Sequence, residues 1–99
     1  MAIMMNEMFK QSDEVSQILK SLSHPVRLKL LCALMDNEKS VNELTSLCDI
    51  SQSAMSQFLN RMRSEGLLVS RREAHFVYYS IADQKLKKLM RSLKEIYCK

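Results

Sequence analysis

Tryptophan is absent, and glycine and proline occur once each, as Gly66 and Pro25. A sandwich or barrel needs a turn signal about every 8–12 residues. Two turn-formers in 99 residues therefore exclude an all-β chain and leave long helices. No stretch approaches the roughly 18 consecutive apolar residues of a membrane span, so no membrane partner is expected. Met1–Asn6 has neither a basic leader nor a long apolar run, so no signal peptide is expected. Cys32, Cys48 and Cys98 are too few and too scattered for a secreted disulfide framework, which points to reduced thiols in the cytoplasm. There is no Gly-rich phosphate loop, no histidine beside a candidate nucleophile and no pair of carboxylates on one helix face. Neither an enzyme nor a cofactor is expected.

What is present is an ordinary globular composition, 46% hydrophobic and 26% charged. The chain reads as one domain, 1–99. A chain of this size buries only roughly 60–65% of its unfolded surface, so one core is marginal and a second copy would help. Charge is unevenly spread. Residues 1–55 hold five Lys/Arg against seven Asp/Glu, and residues 56–99 hold ten against four, so −2 faces +6. A basic half on a small domain is the electrostatic footprint of a polyanion binder.

The apolar spacing predicts a first helix over Ser12–Leu22, with Val15, Ile18, Leu19 and Leu22 as its stripe and Ser12 as its N-cap. Met1–Gln11 is Met-rich and uncapped, and reads as a frayed arm or a packing extension. Ser23-His24-Pro25 breaks the chain and starts a second helix, Pro25–Met35, apolar almost all round and so central. Asp36–Lys39 is a polar connector. Ser40-Val41-Asn42-Glu43 fits a capping box opening a short third helix with Val41, Leu44 and Leu47 inward, ending near Asp49. Ser51 caps a fourth helix that runs to Glu65, and Gly66 stands at the left-handed position just past its end. Beyond Gly66 the period falls to two. The runs 67–72 and 76–81, joined by Glu73-Ala74-His75, predict a β-hairpin. Asp83 caps a last helix, Gln84–Cys98, whose stripe is Leu86, Leu89, Met90, Leu93, Ile96 and Tyr97. The fold class is mainly α with a β-hairpin wing, in the order α-α-α-α-β-β-α.

Helices three and four are joined by a very short turn, a helix-turn-helix layout over residues 40–65 with the hairpin at 67–81 as its wing. The second helix of such a unit lies in the major groove. Ser53, Ser56, Gln57, Asn60 and Arg63 follow i, i+3, i+4, i+7, i+10, a stripe of hydroxyls and amides that ends basic. A merely solvated face would more often carry Glu–Lys pairs. With Ser51 and Gln52 at the helix start, these are the candidate contacts to base edges and phosphates of double-stranded DNA. Arg71, Arg72 and His75 near the wing tip are candidate backbone or minor-groove contacts. A charged edge strand and a plain turn are the competing explanations for these three. The segments 1–22 and 83–98 carry apolar stripes that one small domain cannot cover, which predicts a homodimer reading an inverted-repeat operator.

Three strings together are specific: Leu22-Ser23-His24-Pro25-Val26-Arg27-Leu28, Ser51-Gln52-Ser53-Ala54-Met55-Ser56-Gln57-Phe58-Leu59, and Arg71-Arg72-Glu73-Ala74-His75-Phe76-Val77-Tyr78-Tyr79. Over roughly residues 12–98 the chain resembles the ArsR/SmtB winged-helix repressors. The resemblance implies a homodimer that binds an operator and lets go when an inducer binds or reacts. It does not extend to the family's metal sites. Ser40 and Asn42 stand where one site has thiols. Asp83, Lys85, Ile96 and Lys99 stand where the other has its ligands, and neither an ammonium nor an aliphatic chain replaces imidazole. No metal is expected.

Cys32 in Leu31-Cys32-Ala33-Leu34 and Cys98 in Ile96-Tyr97-Cys98 instead resemble the sensing thiols of the family's sulfane-sulfur (persulfide) branch. There, sulfane-sulfur species or oxidants link the two by disulfide or polysulfide and DNA is released. Some members of that branch repress, and others activate by displacing a silencer. Phe58 departs from the branch, where histidine is usual, and Cys48 has no counterpart in the thiol pair. Two alternatives stand beside this one: a constitutive regulator or anti-silencer with silent cysteines, and a basic helical interaction module.

Overall fold

The computed structural model describes residues 2–98, with side chains described from Met5 onward. The order is α1 (Ala2–Leu22), α2 (Pro25–Ala33), β1 (Lys39–Ser40), α3 (Val41–Cys48), α4 (Gln52–Ser64), β2 (Leu68–Glu73), β3 (Phe76–Ile81) and α5 (Gln84–Tyr97). The expected sequence of helices and hairpin is present, with one short strand added. β1 pairs antiparallel with β3, Lys39 opposite Tyr79 and Ser40 opposite Tyr78, giving a three-stranded sheet ordered β1-β3-β2. Two residues are too few to leave a period in the sequence.

α1 begins ten residues before the expected start at Ser12. Ser12 is not a cap; it lies inside the helix and its hydroxyl donates to the Phe9 carbonyl at 2.8 Å. The upstream segment is rich in Ala, Met, Glu, Lys and Gln, all strong helix formers, so the helix runs through. α2 stops at Ala33, two residues short of expectation. His24 caps its start, Nδ1 accepting from the Val26 amide at 3.1 Å.

The capping box on α3 is complete: the Glu43 amide donates to Ser40 Oγ at 3.2 Å and the Ser40 amide to Glu43 Oε1 at 3.1 Å. Leu44 is buried and Val41 half-buried, but Leu47 is 61% exposed and Cys48 takes the inward place. Positions 44 and 48 are i, i+4 on an eight-residue helix, so the face containing Leu44 continues to Cys48.

Ser51 Oγ accepts from the Ala54 amide at 3.1 Å and starts α4. At its other end the Gly66 amide donates to the Arg63 carbonyl and the Leu67 amide to the Met62 carbonyl, both at 3.0 Å, with Gly66 at φ +83°. That is a Schellman termination, with Leu67 and Met62 both buried. It turns the chain directly into the hairpin. Only Ala74 and His75 form the loop; Glu73, expected in the joint, is the last residue of β2 and faces Phe76. Ala74 has φ +55° and is the one of the two with positive φ, which a tight two-residue hairpin turn calls for.

The core lies where α2, α3 and α4 meet the base of the sheet: Leu30, Leu31, Leu34, Leu44, Met55, Leu59, Met62, Leu68, Tyr79 and Ile81, joined by Leu22 of α1 and Leu86 and Met90 of α5. This block fixes α4 against α3 and the hairpin against α4. It leaves most of α1 and the end of α5 outside.

Candidate nucleic-acid interface and thiol pair

α4 buries Met55, Leu59 and Met62 and turns Gln52, Ser53, Ser56, Gln57, Asn60 and Arg63 to solvent on its far side. These six candidates therefore stand together on one exposed face. Ser51 sits at its start with its hydroxyl engaged as the cap. Phe58 is half-buried, its ring tilted against His24 with centroids 5.1 Å apart. It packs α4 onto the start of α2. An open trough of about 990 Å³ runs beside this face, bounded by His24 and Arg27 on one side and by Gln57, Asn60 and Arg61 on the other. Arg61 is largely exposed, at 77% of its side chain, and belongs to the same surface. It stands four positions after Gln57 and eight after Ser53, so the same spacing reaches it.

Register sorts the wing arginines. Opposed residues of an antiparallel pair share a face. Ser70 faces Tyr79 and Arg72 faces Val77, on the side carrying buried Leu68, Tyr79 and Ile81. Arg63 reaches Ser70 Oγ at 3.4 Å, so the end of α4 meets the hairpin on that side. Arg72 is exposed, and among the described residues it makes no ion pair.

Arg71 points the other way, on the face of Tyr78, and reaches Glu38. Its Nε donates to both Glu38 oxygens at 3.0 and 2.8 Å, its Nη2 also meets Glu38, and its Nη1 donates to Glu73 Oε2 at 3.0 Å. The guanidinium lies 4.7 Å from the Tyr78 ring centroid. Two carboxylates already answer its charge, so Arg71 is not the free wing-tip cation expected from the sequence. Arg71 holds the Glu38 carboxyl below its ordinary range. Glu38 is 33 positions from Arg71, a separation no local spacing rule detects. His75 is exposed in the hairpin turn.

Two of the three thiols share a separate hollow. Cys32, on the outer side of α2, and Cys98, just past α5, are both exposed and free. They line one open hollow of about 470 Å³ with Leu28, Met35, Asp36 and Lys94 among its walls. Burial pushes the Cys32 thiol above its ordinary value, Cys98 adds to that push and Lys94 pulls it back. Cys48 is buried within the core, which raises its thiol while Lys29 lowers it. Among the described residues no three His, Cys, Asp or Glu side chains gather as metal ligands would. Asp83 caps α5, accepting from the Lys85 amide at 2.7 Å. Among the described residues no helix is long and apolar enough to cross a membrane.

The pattern of the bacterial regulatory protein, arsR family, matches residues 24–70, from the α2 cap through the start of β2. The chain is 40% identical to the transcriptional activator HlyU of Vibrio cholerae, over 95% of its own length and 87% of that protein. It is 42% identical to the biofilm growth-associated repressor of Agrobacterium fabrum, over 92% of its length and 78% of that protein. Among solved structures it is similar to the transcriptional repressor BigR from Xylella fastidiosa, with a TM-score of 0.89, 38% identity, and coverage of 95% of this chain and 96% of that one.

Proposed function

Because the chain belongs to the arsR family of bacterial regulatory proteins, we propose that this DNA-binding transcriptional regulator works as a homodimer whose reduced form holds its operator and whose Cys32–Cys98 linkage releases it. A regulator and not an enzyme is what that membership makes it. The single observation carrying the finer reading is that Cys32 and Cys98 open into one hollow between α2 and α5.

The chemistry is thiol–sulfane exchange. The Cys32 thiolate attacks a sulfur of an inorganic polysulfide, an S–S bond of the polysulfide breaks, and a chain one sulfur shorter leaves with the electron pair. Cys32 then carries a persulfide. Cys98 attacks the Cys32 sulfur and expels hydrosulfide, leaving a disulfide; the two thiols are oxidised and one sulfane sulfur is reduced to sulfide. If the persulfide first takes up a second sulfur in the same way, the closing step leaves a trisulfide. The longer bridge serves where the backbone separation exceeds the roughly 7 Å limit of a direct bond.

DNA is met by Gln52, Ser53, Ser56, Gln57, Asn60 and Arg63 of α4, with Ser51 at its start and Arg72 and His75 from the wing. The operator is double-stranded and an inverted repeat, since two α4 helices related by a two-fold read two half-sites about one helical turn apart. The site of action is the cytoplasm, where the chromosome lies. Release follows because both half-sites must fit at once. Couplings of this kind are worth about 1–3 kcal/mol, roughly five- to 150-fold in affinity. The relatives' names include both an activator and a repressor, so the sign of regulation depends on what the bound dimer displaces.

A second reading, a constitutive regulator with silent thiols, is favoured by the upward push on Cys32, which keeps it protonated and less nucleophilic. The two separate in a titration of a duplex that the reduced protein selects from random sequence. Affinity should fall at least fivefold after treatment with inorganic tetrasulfide, while Cys32→Ser and Cys98→Ser should not respond. Unchanged affinity in the treated wild type would leave the thiols silent. Paired Ser56→Ala and Gln57→Ala changes should weaken binding at least tenfold with an unaltered melt; retained affinity would remove α4 as the reading helix.

A further inference from the structure

The segment that follows Cys32 runs from the thiol hollow to the start of β1. Leu34 and Met35 are buried. The Leu34 amide donates to the carbonyls of Leu30 and Leu31 at 3.1 and 3.2 Å, and the Met35 amide to Cys32 at 3.4 Å. Met35 and Asp36 line the same hollow as the two thiols. Two positions on stands Glu38, and the next residue opens β1. Five residues thus separate a thiol from a carboxylate that grips Arg71, and two of them, Leu34 and Met35, are buried in the core.

The grip is placed to control the wing. β2 is the outer strand of the sheet, held through β3 on one side only. The Arg71–Glu38 contact spans from β2, over Tyr78 of β3, to the residue before β1, fastening the free strand to the far edge across the back of the sheet. Glu38 thus stands between the thiol hollow and the wing.

We propose that Glu38 is a positioning residue through which the state of the thiol hollow sets the pose of the wing. This rests on the reading that Cys32–Cys98 linkage is the switch. In the reduced protein the Glu38–Arg71 contact holds β2 so that Arg72 and the end of α4 address the same stretch of DNA. Linkage draws the end of α2 toward α5. Glu38 moves with it and the contact with Arg71 breaks, which loosens the outer strand. The coupling has two discrete arrangements, contact made and contact broken, as a transmitted signal needs.

Glu38→Gln keeps the shape and removes the charge. The test uses the full chain, inorganic tetrasulfide as the reagent, intact mass as the readout of linkage, and the duplex selected by the reduced protein. Glu38→Gln should acquire the Cys32–Cys98 link to the same mass and extent as wild type, with an unchanged melt when reduced. Its fold-loss of affinity on linkage should be at least threefold smaller. Arg71→Ala should reduce the fold-loss equally, and the double variant no further. An undiminished fold-loss in Glu38→Gln and Arg71→Ala overturns this proposal and leaves the switch standing. A wild type that links without losing affinity, or never links, overturns the switch and this proposal with it.

Discussion

Arg27 and Glu65 are 38 positions apart and form a two-pronged pair, Nη1 to Oε1 at 2.9 Å and Nη2 to Oε2 at 3.0 Å. Arg27 also donates to the Ser21 carbonyl at 3.2 Å, so one side chain ties the end of α1 and the start of α2 to the residue that ends α4. Its side chain is only 11% exposed. Charge-assisted bonds of this kind contribute about 1.5–3 kcal/mol. The Arg27 guanidinium, with a smaller share from Arg61, holds the Glu65 carboxyl below its ordinary range. The folded value is thus lower than the unfolded one, near 4.3. Above that value both states are ionised and the full stabilisation is present. As pH falls, the unfolded chain takes the proton first, and the contribution is lost by the time pH passes the folded value. Glu65→Gln should therefore melt lower than wild type at pH 7, with the gap closing between about pH 5 and pH 3. A gap independent of pH would mean that Glu65 acts by shape and not by charge.

At the scale of elements, what the sequence made legible follows its local chemistry. The Ser40–Glu43 box, the Ser51 cap and Gly66 each act within a few residues, so α3, α4 and the entry to the hairpin could be read directly. The start of α1 is not legible because a run of good helix formers gives no local signal of where a helix begins, and the inward face of α3 is not because an eight-residue helix has room for two. The thiol pair rests on resemblance: nothing local links residue 32 to residue 98, and the shared hollow exists only once α5 packs on α2. The two wing arginines look identical in sequence, and strand register separates them. Arg72 stands on the α4 side without a counter-ion among the described residues, while Arg71 is held by Glu38 and Glu73. Each phosphate neutralised adds about 0.9 to the steepness of log affinity against log salt. In the reduced protein Arg72→Ala should lower that slope by about one per wing. Arg71→Ala, which acts on DNA only through the pose of Arg72, should add nothing to the loss in Arg72→Ala. A further loss in the double variant would place Arg71 itself on the DNA.

As a whole the molecule is too extended for its length. Its radius of gyration is 15.0 Å and its extents are 52 × 31 × 20 Å, where a compact chain of 100 residues has about 13 Å. The excess is α1, whose 21 residues form a rod about 30 Å long that leaves the core beyond its last turn. Along it Phe9 is 71% and Leu19 53% exposed, with Met5, Met8 and Val15 also outward. At the far end of α5 Tyr97 is 79% exposed. Between the two helices lies an apolar hollow of about 370 Å³ walled by Met8, Val15, Ile18, Leu19, Leu86 and Leu89. So large an apolar surface on one small domain fits a two-fold contact with a second copy, which would bury both helices and complete the marginal core. Leu19→Glu or Phe9→Glu alters side chains that the single chain leaves exposed, so each variant should keep its helical spectrum. Each should sediment as a monomer at concentrations where wild type is a dimer. Operator affinity should fall at least a hundredfold, because one α4 then reads one half-site alone. A variant that stays dimeric and binds as wild type would move the interface away from α1.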